Sequence, residues 1–195
     1  MKKYRLFEED KTKTPQLKVL HLTTAHLVHD GRIYFRECLT LAEDERIEIK
    51  VVAHGQYKHH DLVTHISLGA PPVSRVIRFL KSQLVGLKFL FGSREHVWHI
   101  HDPELLPIAI VASYFNKKVV WDAHEDYQLQ FESKENYRKY LPRHLKKIVG
   151  FAIKSCLKLI DIRAFGVVCA TETIRARYQN PNAIVVGNEA RLDEF

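Results

Sequence analysis

The sequence predicts a single α/β domain with a mostly parallel β-sheet and helices on both faces, and three observations support this. Short apolar segments rich in Val and Ile alternate with longer amphipathic segments along the chain, as they do in repeated βα units. The 195 residues, 46% of them hydrophobic, are enough for one sizeable core. No repeat, low-complexity block or interdomain linker divides the sequence. One Rossmann-like domain is therefore expected over residues 17–195, after a polar tail over residues 1–16.

Seven short apolar segments are predicted to be strands because they are rich in Val and Ile. In chain order they are Lys18–Thr23, Glu48–Ala53, Leu62–Leu68, His96–Ile100, Lys117–Trp121, Phe165–Ala170 and Ala183–Val186. Five segments between them have apolar residues at helical spacing and are predicted to be helices. These are Ile33–Ala42, the stretch from Val73 to about Phe91, Glu104–Phe115, about Arg143 to Ile160, and Glu172–Tyr178.

The second predicted helix carries a stripe of large apolar side chains, which we expect to pack on the sheet. The stripe consists of Val73, Val76, Ile77, Leu80, Leu84 and Leu87. Arginines and lysines flank it, so docking on an anionic membrane surface is the alternative. The basic stretch Arg138–Lys158 allows the same two interpretations.

The charge balance is moderately basic, with 30 Lys and Arg against 23 Asp and Glu. This suits an anionic partner such as a phosphorylated lipid, a nucleotide or a nucleic acid. Nucleic acid is disfavoured, because the aromatic residues are not interleaved with basic ones as stacking platforms. The three cysteines, Cys38, Cys156 and Cys169, lie far apart within apolar segments, which indicates free buried thiols in a reducing compartment.

The location of the chain is predicted from its amino-terminal residues and its longest apolar runs. Met1–Thr14 is charged and lacks the apolar core of a signal peptide. No run reaches the roughly 18–20 apolar residues of a membrane span. We therefore expect a cytoplasmic protein, at most peripheral at the inner face of the membrane.

Three of the predicted strands end in loops of unusually high polar density. These loops are Thr23–Arg32, which includes Asp30 and Gly31; His99–Glu104, which includes His101 and Asp102; and Asp122–Tyr127, which includes His124 and Glu125. Ligands of open parallel sheets bind beyond the carboxyl ends of the strands. We therefore predict that the three loops converge on one edge of the sheet and form the functional site.

Two histidines in the second loop raise the question of a metal centre. His99 and His101 are two residues apart, so on a strand both face the same side, and His124, Glu125 and Asp126 are expected nearby. However, the sequence has no H-E-x-x-H motif and no cysteine at ligand spacing from the histidines. We expect no metal here, with His99 packed within the sheet and His101 reaching solvent.

Several common catalytic and phosphate-binding motifs are missing from the sequence. It contains no G-x-G-x-x-G, no Walker loop and no G-x-S-x-G nucleophile elbow. The turn after the first strand has Gly31 alone, which leaves a dehydrogenase or P-loop enzyme without a phosphate cradle. Gly31 can still admit a ligand to the backbone, with Arg32 beside it as an anion donor, although it also suits a plain turn.

Several segments, taken in chain order, resemble one known family. They are Lys18–Thr24, Asp30–Ile33, Glu37–Ala42, His99–Pro107, Val120–Tyr127, Cys169–Glu172 and Val186–Phe195. Together they are similar to the N-terminal domain of retaining GT-B glycosyltransferases of family four, in a bacterial branch that builds polysaccharides and glycolipids. The resemblance covers about residues 17–195, and the His99–Pro107 and Val120–Tyr127 pair is its most specific part.

This resemblance implies a site between two Rossmann-like domains that face each other across a cleft. The N-terminal domain mainly holds a sugar or lipid-linked acceptor, and the C-terminal domain holds most of the nucleotide-sugar donor. By position, the resemblance implies that His124 is catalytic, near the reacting carbon of the donor sugar. It also implies a cleft lined by Asp30, Gly31, Arg32, His101, Asp102 and Glu125. No metal or resident cofactor is implied, since the nucleotide sugar is a co-substrate.

The chain departs from the family pattern in its donor signature. That signature is a Glu-x7-Glu pair after a Gly-rich turn in the second domain; Glu37 and Glu45 have this spacing but fall at the first helix, which we interpret as chance. We therefore expect the donor domain to be absent from this chain and the chain alone to be inactive. The alternatives are an acceptor-binding subunit of a split glycosyltransferase, half of a GT-B sugar-nucleotide epimerase, or a metal-dependent hydrolase.

Overall fold

The fold is described from a computed structural model, which covers residues 17–56, 62–127 and 143–187, with residues 143–146 described as backbone only. The predicted polar tail over residues 1–16 lies outside the described residues. Residues 188–195, which are most of the closing segment of the family resemblance, also lie outside the described residues, as do the basic residues before 143.

The domain is built on a seven-stranded sheet in which every pairing is parallel. The strands are β1 (Leu17–Leu27), β2 (Ile47–His54), β3 (Val63–Ser67), β4 (Val97–Ile100), β5 (Lys118–Ala123), β6 (Gly166–Cys169) and β7 (Ala183–Val185). Their order across the sheet is β3-β2-β1-β4-β5-β6-β7. The prediction of seven strands in a parallel α/β sheet is confirmed. The strand order reverses between β1 and β4, where sheets of this kind bind their ligands.

Helices follow the strands and cover both faces of the sheet, as predicted. A π-helix (Gly31–Cys38) continues into α1 (Leu39–Ala42), and a 3₁₀ turn (Pro103–Leu105) leads into α3 (Leu106–Tyr114). The other helices within the described residues are α2 (Arg75–Gly92), α4 (Arg143–Arg163) and α5 (Glu172–Arg175). Asp30 is the N-cap of the π-helix, since its carboxylate accepts hydrogen bonds from the backbone N–H groups of Arg32 and Ile33.

The two faces of the sheet have separate cores. The first-helix face, covered by the π-helix and α1, has a small core that includes Val19, Ile33, Tyr34 and Val51. The opposite face packs under α2, α3 and α4 and holds the larger core, which includes Trp98 and Trp121. Because side chains alternate along a strand, neighbouring residues of β1 and β4 belong to different cores.

The apolar stripe predicted on the second helix does not pack on the sheet. Val76, Leu80 and Leu84 of α2 are 69%, 56% and 66% exposed, and the side of α2 that is buried carries Ser82, Gly86 and Leu90. A Cβ at Gly86 would lie 2.5 Å from the Cγ1 methylene of Ile108 on α3. Small residues therefore let α2 approach its neighbours closely, and the larger apolar residues are left outside. The expectation that the large apolar stripe packs on the sheet was wrong, because the small residues on the other side of α2 form the packed side.

The sequence predicts that the three cysteines are free, buried thiols. All three are free thiols, with Cys38 and Cys169 buried and Cys156 partly buried. Within the described ranges, no helix combines the length and apolar character required to cross a bilayer.

Candidate functional site

The three polar loops converge on one buried carboxylate, that of Asp122 at the end of β5. Its Oδ1 accepts a hydrogen bond from Arg32 Nη2 at 2.8 Å. Its Oδ2 accepts bonds from His101 Nδ1 at 3.0 Å and His124 Nδ1 at 3.2 Å. Asp122 is 0% exposed, and each of its partners comes from a different loop. The predicted convergence at one edge of the sheet is therefore present, with Asp122 at its centre.

The π-helix explains how two charged residues, Arg32 and Glu37, both lie close to Asp122. Its hydrogen bonds run from residue i to i+5, so residues five apart lie above one another. Arg32 and Glu37 have this separation, and Arg32 Nε lies 3.1 Å from Glu37 Oε1. That contact is an ion pair but not an aligned hydrogen bond, since the same Nε donates to Asp122 Oδ2 at 3.3 Å. Both side chains therefore face the sheet.

Burial and charge set different protonation behaviour for the two buried carboxyl groups. Burial raises the pKa of Asp122, but the hydrogen bonds from His101 and His124 outweigh it and hold the pKa well below its ordinary value. Burial raises the pKa of Glu37 to about 7. Asp122 is therefore the anion that pairs with Arg32, whereas burial favours the neutral form of Glu37.

His124 lies at the solvent-facing side of this network, with a side chain that is 15% exposed. Its Nδ1 faces Asp122, and its Nε2 lies 3.2 Å from the hydroxyl of Tyr127. That hydroxyl donates to the carbonyl oxygen of His101 at 3.2 Å. Both ring nitrogens of His124 thus have partners, which fixes the orientation of the ring at the edge of the sheet.

A bulge in β1 forms the other side of the edge. Leu22 pairs with Val52, but the next pair is Leu27 with His54, so residues 23–26 bulge out of the sheet. The carboxylate of Asp102 holds this bulge. Its Oδ2 accepts bonds from Thr23 Oγ1 and from the backbone N–H groups of residues 24 and 25, at 2.9, 2.5 and 3.0 Å.

The bulge presents His26 to the same cleft as His124. The two rings are 5.7 Å apart in an edge-to-face arrangement. His26 Nδ1 is 3.1 Å from Asp30 Oδ2, and its Nε2 is 3.4 Å from Asp102 Oδ1. The hydrogen bond with Asp30 is the largest influence on His26 and raises its pKa, although burial opposes it. Part-exposed imidazoles and carboxylates therefore line the rim.

The seven residues predicted for the site divide into a rim and a buried support. Asp30, Gly31, His124 and Glu125 are exposed or partly exposed, and a Cβ at Gly31 would meet nothing within 4 Å. In contrast, Arg32, His101 and Asp102 are 9%, 0% and 1% exposed. The expectation that His101 reaches solvent is wrong, because its ring packs between Asp122 and a second histidine.

Three histidines and one glutamate form a compact group beneath the edge, on the first-helix face of the sheet. This His–Glu cluster consists of His21, Glu37, His99 and His101, each of which has one potential ligand atom within 4.8 Å of the others. Parallel pairing sets His21 directly opposite His99. His99 packs within the sheet as predicted, and burial together with the neighbouring His101 lowers its pKa to about 3. The other residues of the predicted metal alternative, His124, Glu125 and Asp126, are not part of the cluster.

Two cavities adjoin the edge. One of about 150 Å³ lies beside Thr24 and is lined by residues that include His54, Arg78, Lys81 and Leu84. Another, of about 290 Å³, is lined by residues of α4 and α5 and by Glu125. The rim therefore has open space on both sides.

Five residues that build this site were given no role from the sequence: His21 and Glu37 lie outside the predicted polar loops, whereas His26, Asp122 and Tyr127 lie within them. The available signal was the placement of the strands: once β1 and β4 are parallel neighbours, His21 must face the same side as His99 and His101. Glu37 could not be placed, because helical spacing of 3.6 residues per turn does not align it with Arg32.

Comparison with known proteins supports the architecture. No protein-family model matches the sequence, and no curated protein matches it as a relative. Among solved structures, the chain resembles sucrose-phosphate synthase from Thermosynechococcus elongatus. The TM-score is 0.61 at 11% sequence identity, over 92% of this chain and 50% of that one. The fold is thus a Rossmann-like α/β fold shared with a GT-B enzyme. The chain spans about half the length of that structure.

Proposed function

We propose that the chain is the acceptor-side half of a nucleotide-sugar-dependent, retaining glycosyltransferase of cell-envelope polysaccharide or glycolipid synthesis. The observation that carries the proposal is the oriented, part-exposed imidazole of His124, held by a buried carboxylate at the strand-order reversal. The fold shared with sucrose-phosphate synthase supports the same class.

The chemistry of sugar transfer matches the charges of the rim. Breaking the bond to the leaving diphosphate develops positive charge at the reacting carbon, and preorganised negative groups stabilise such charge. Asp30 and Glu125 place carboxylates at the rim. Asp122 and Tyr127 fix the ring of His124, so a sugar hydroxyl that replaces the Tyr127 hydroxyl at Nε2 would meet a rigid imidazole. In this role His124 positions the donor sugar for reaction.

A second Rossmann-like domain, in the same protein or in a partner, is required to complete the donor site. One wall of a cleft gives little differential stabilisation of a transition state, because positioning needs contacts from both sides. We therefore propose that residues 17–187 alone bind acceptor but transfer sugar poorly. The sugar-nucleotide epimerase alternative predicts turnover without any acceptor.

The acceptor fits the cavity beside Thr24. That cavity combines Lys81 and Arg78, whose guanidinium also pairs with Glu104, with apolar side chains such as Leu84. Lys81 and Leu84 also lie along the exposed side of α2, so the cavity opens onto the apolar stripe. A phosphorylated lipid carrier suits this combination, with its phosphate at the cations and its chain along the helix. We propose that α2 rests on the anionic inner face of the membrane.

Transfer by the complete assembly is the experiment that tests this function. The tagged chain is captured from its native host and supplied with UDP-, GDP- and ADP-linked radiolabelled hexoses and host lipid extract. Label is expected to enter the lipid or polysaccharide fraction from one donor. His124→Ala should lower this rate by about 100-fold, the usual effect of removing one preorganised group. The control, His96→Ala, changes an exposed histidine that lies just before β4, at the opposite end of that strand from the site, and should transfer like the wild type.

Several outcomes would contradict the proposal. Undiminished transfer by a folded His124→Ala protein would remove this residue from the reaction. Vigorous transfer by the purified chain without a partner would refute the half-site. Conversion of a nucleotide sugar without acceptor would establish the epimerase alternative instead.

Vesicle binding tests the membrane surface separately. The double variant Leu80→Glu, Leu84→Glu should bind vesicles containing phosphatidylglycerol more than about tenfold more weakly. Two leucines that insert into the bilayer contribute several kcal/mol to the binding free energy. The control, Ile162→Glu, alters a side chain of α4 that is 67% exposed, and should bind like the wild type. Equal binding of all proteins in a sedimentation assay would exclude α2 as the membrane contact.

A further inference from the structure

The His–Glu cluster lies beneath the rim and takes no direct part in the proposed transfer. Three imidazoles and a carboxyl group are in mutual reach there, between the small apolar core of the first-helix face and the buried pair of Arg32 and Asp122. Buried polar groups in proteins are almost always hydrogen-bonded, because an unpaired one costs free energy. In this cluster, neither oxygen of Glu37 makes a hydrogen bond; Oε1 has the ion-pair contact with Arg32, and Oε2 faces the histidines.

The distances within the cluster suit a tetrahedral metal ion. His21 Nδ1 and His101 Nε2 face each other at 3.1 Å, whereas two nitrogen ligands on one zinc ion lie about 3.3 Å apart, given zinc–nitrogen bonds of roughly 2.0–2.1 Å. Glu37 Oε2 is 3.9 Å from His21 Nδ1 and 3.7 Å from His99 Nδ1. Small side-chain movements would bring all four residues onto one ion.

The surroundings of His101 provide an independent indication. A histidine that binds metal through one nitrogen usually donates its other N–H group to a carboxylate, which fixes the ring and its tautomer. His101 has this arrangement, since its Nδ1 bonds to Asp122 at 3.0 Å while its Nε2 faces His21.

We infer that the His–Glu cluster is a closed, structural site for a divalent transition metal such as zinc. Four protein ligands leave no open position for substrate, which distinguishes structural from catalytic zinc sites. The ion would tie the π-helix to β1 and β4, directly beneath the transfer edge. This inference does not depend on the proposed transferase activity.

Metal uptake by the wild-type chain tests the inference first. The chain is purified without a polyhistidine tag, stripped with a chelator, and titrated with Zn²⁺ and Co²⁺. One equivalent per chain is expected, and bound Co²⁺ should give the intense visible absorption of tetrahedral coordination. Uptake well below one equivalent, or the weak spectrum of six-coordinate Co²⁺, would overturn the site whatever the variants do.

Variants then assign the ligands. Glu37→Gln and His99→Gln should each abolish the tetrahedral Co²⁺ spectrum, while Asp122→Asn should keep it but weaken affinity by about 10–100-fold, as loss of a ligand's carboxylate partner does. His96→Gln is the matched control, because it changes an exposed histidine close to the same strand. An unchanged spectrum in folded Glu37→Gln or His99→Gln protein would contradict the assignment.

Discussion

The two faces of the sheet solve the same packing problem in opposite ways. Under α2, α3 and α4 the core is apolar, with Trp98 and Trp121 fully buried. Under the π-helix, the corresponding layer contains Arg32, Glu37 and Asp122 together with three histidines. A sheet needs no such charged layer for stability, since buried ion pairs are often no better than apolar residues of the same volume. The charged face therefore points to function, and the apolar face supplies the stability that supports it.

The largest effect is expected from breaking the charged face at its centre. Asp122→Ala should destabilise the domain by about 3–5 kcal/mol, because it leaves Arg32 buried without its partner. The free energy of unfolding in urea measures this. Asp44→Ala removes a carboxylate from an exposed ion pair with Arg46 and should have a far smaller effect. Equal losses in the two variants would show that the charged face is not special.

The apolar face should be sensitive to volume instead of charge. Gly86→Ala introduces a methyl group 2.5 Å from Ile108 and should cost about 1–3 kcal/mol, as overpacking usually does. Gly92→Ala is its control in the same helix, since a Cβ there would meet nothing within 4 Å. Thermal denaturation of both proteins checks this. A Gly86→Ala protein as stable as Gly92→Ala would mean that α2 and α3 are not closely packed.

The smallest effect concerns the pH dependence of the rim. The pKa of His26 is raised in the folded state by Asp30. Its contribution to stability is therefore complete below the unfolded value of about 6.5, and is lost as pH rises through the folded pKa. The pKa of Asp30 is lowered, chiefly by His26. Its contribution is present above its unfolded value and is lost at lower pH.

Melting temperatures measured from about pH 4, close to the reference pKa of Asp, to about pH 9, well above that of His, check this prediction. The wild type should lose more stability than His26→Gln as pH rises above about 6.5. Parallel pH profiles for the two proteins would show that the pair with Asp30 contributes nothing to folding.

The difference between the faces also explains what the sequence revealed. Alternating apolar segments sufficed to predict all seven strands, and polar loops after β1, β4 and β5 sufficed to predict the edge. The sequence pattern did not predict which of the polar side chains at the edge are buried. Arg32 and His101 have the residue types of a ligand contact, but the π-helix and the parallel pairing of β1 with β4 turn them inward. Likewise, Ser82 and Gly86 gave no apolar signal, although they form the packed side of α2.

The position of bound sugar tests the central claim most directly. Histidine resonances of the isotope-labelled chain are followed by NMR while nucleotide sugars and host lipid-linked acceptors are added. We expect shifts at His26 and His124, on the rim, and no change at His96, at the opposite end of β4. Ligand-induced shifts confined to residues away from the rim would contradict a transfer site at this edge.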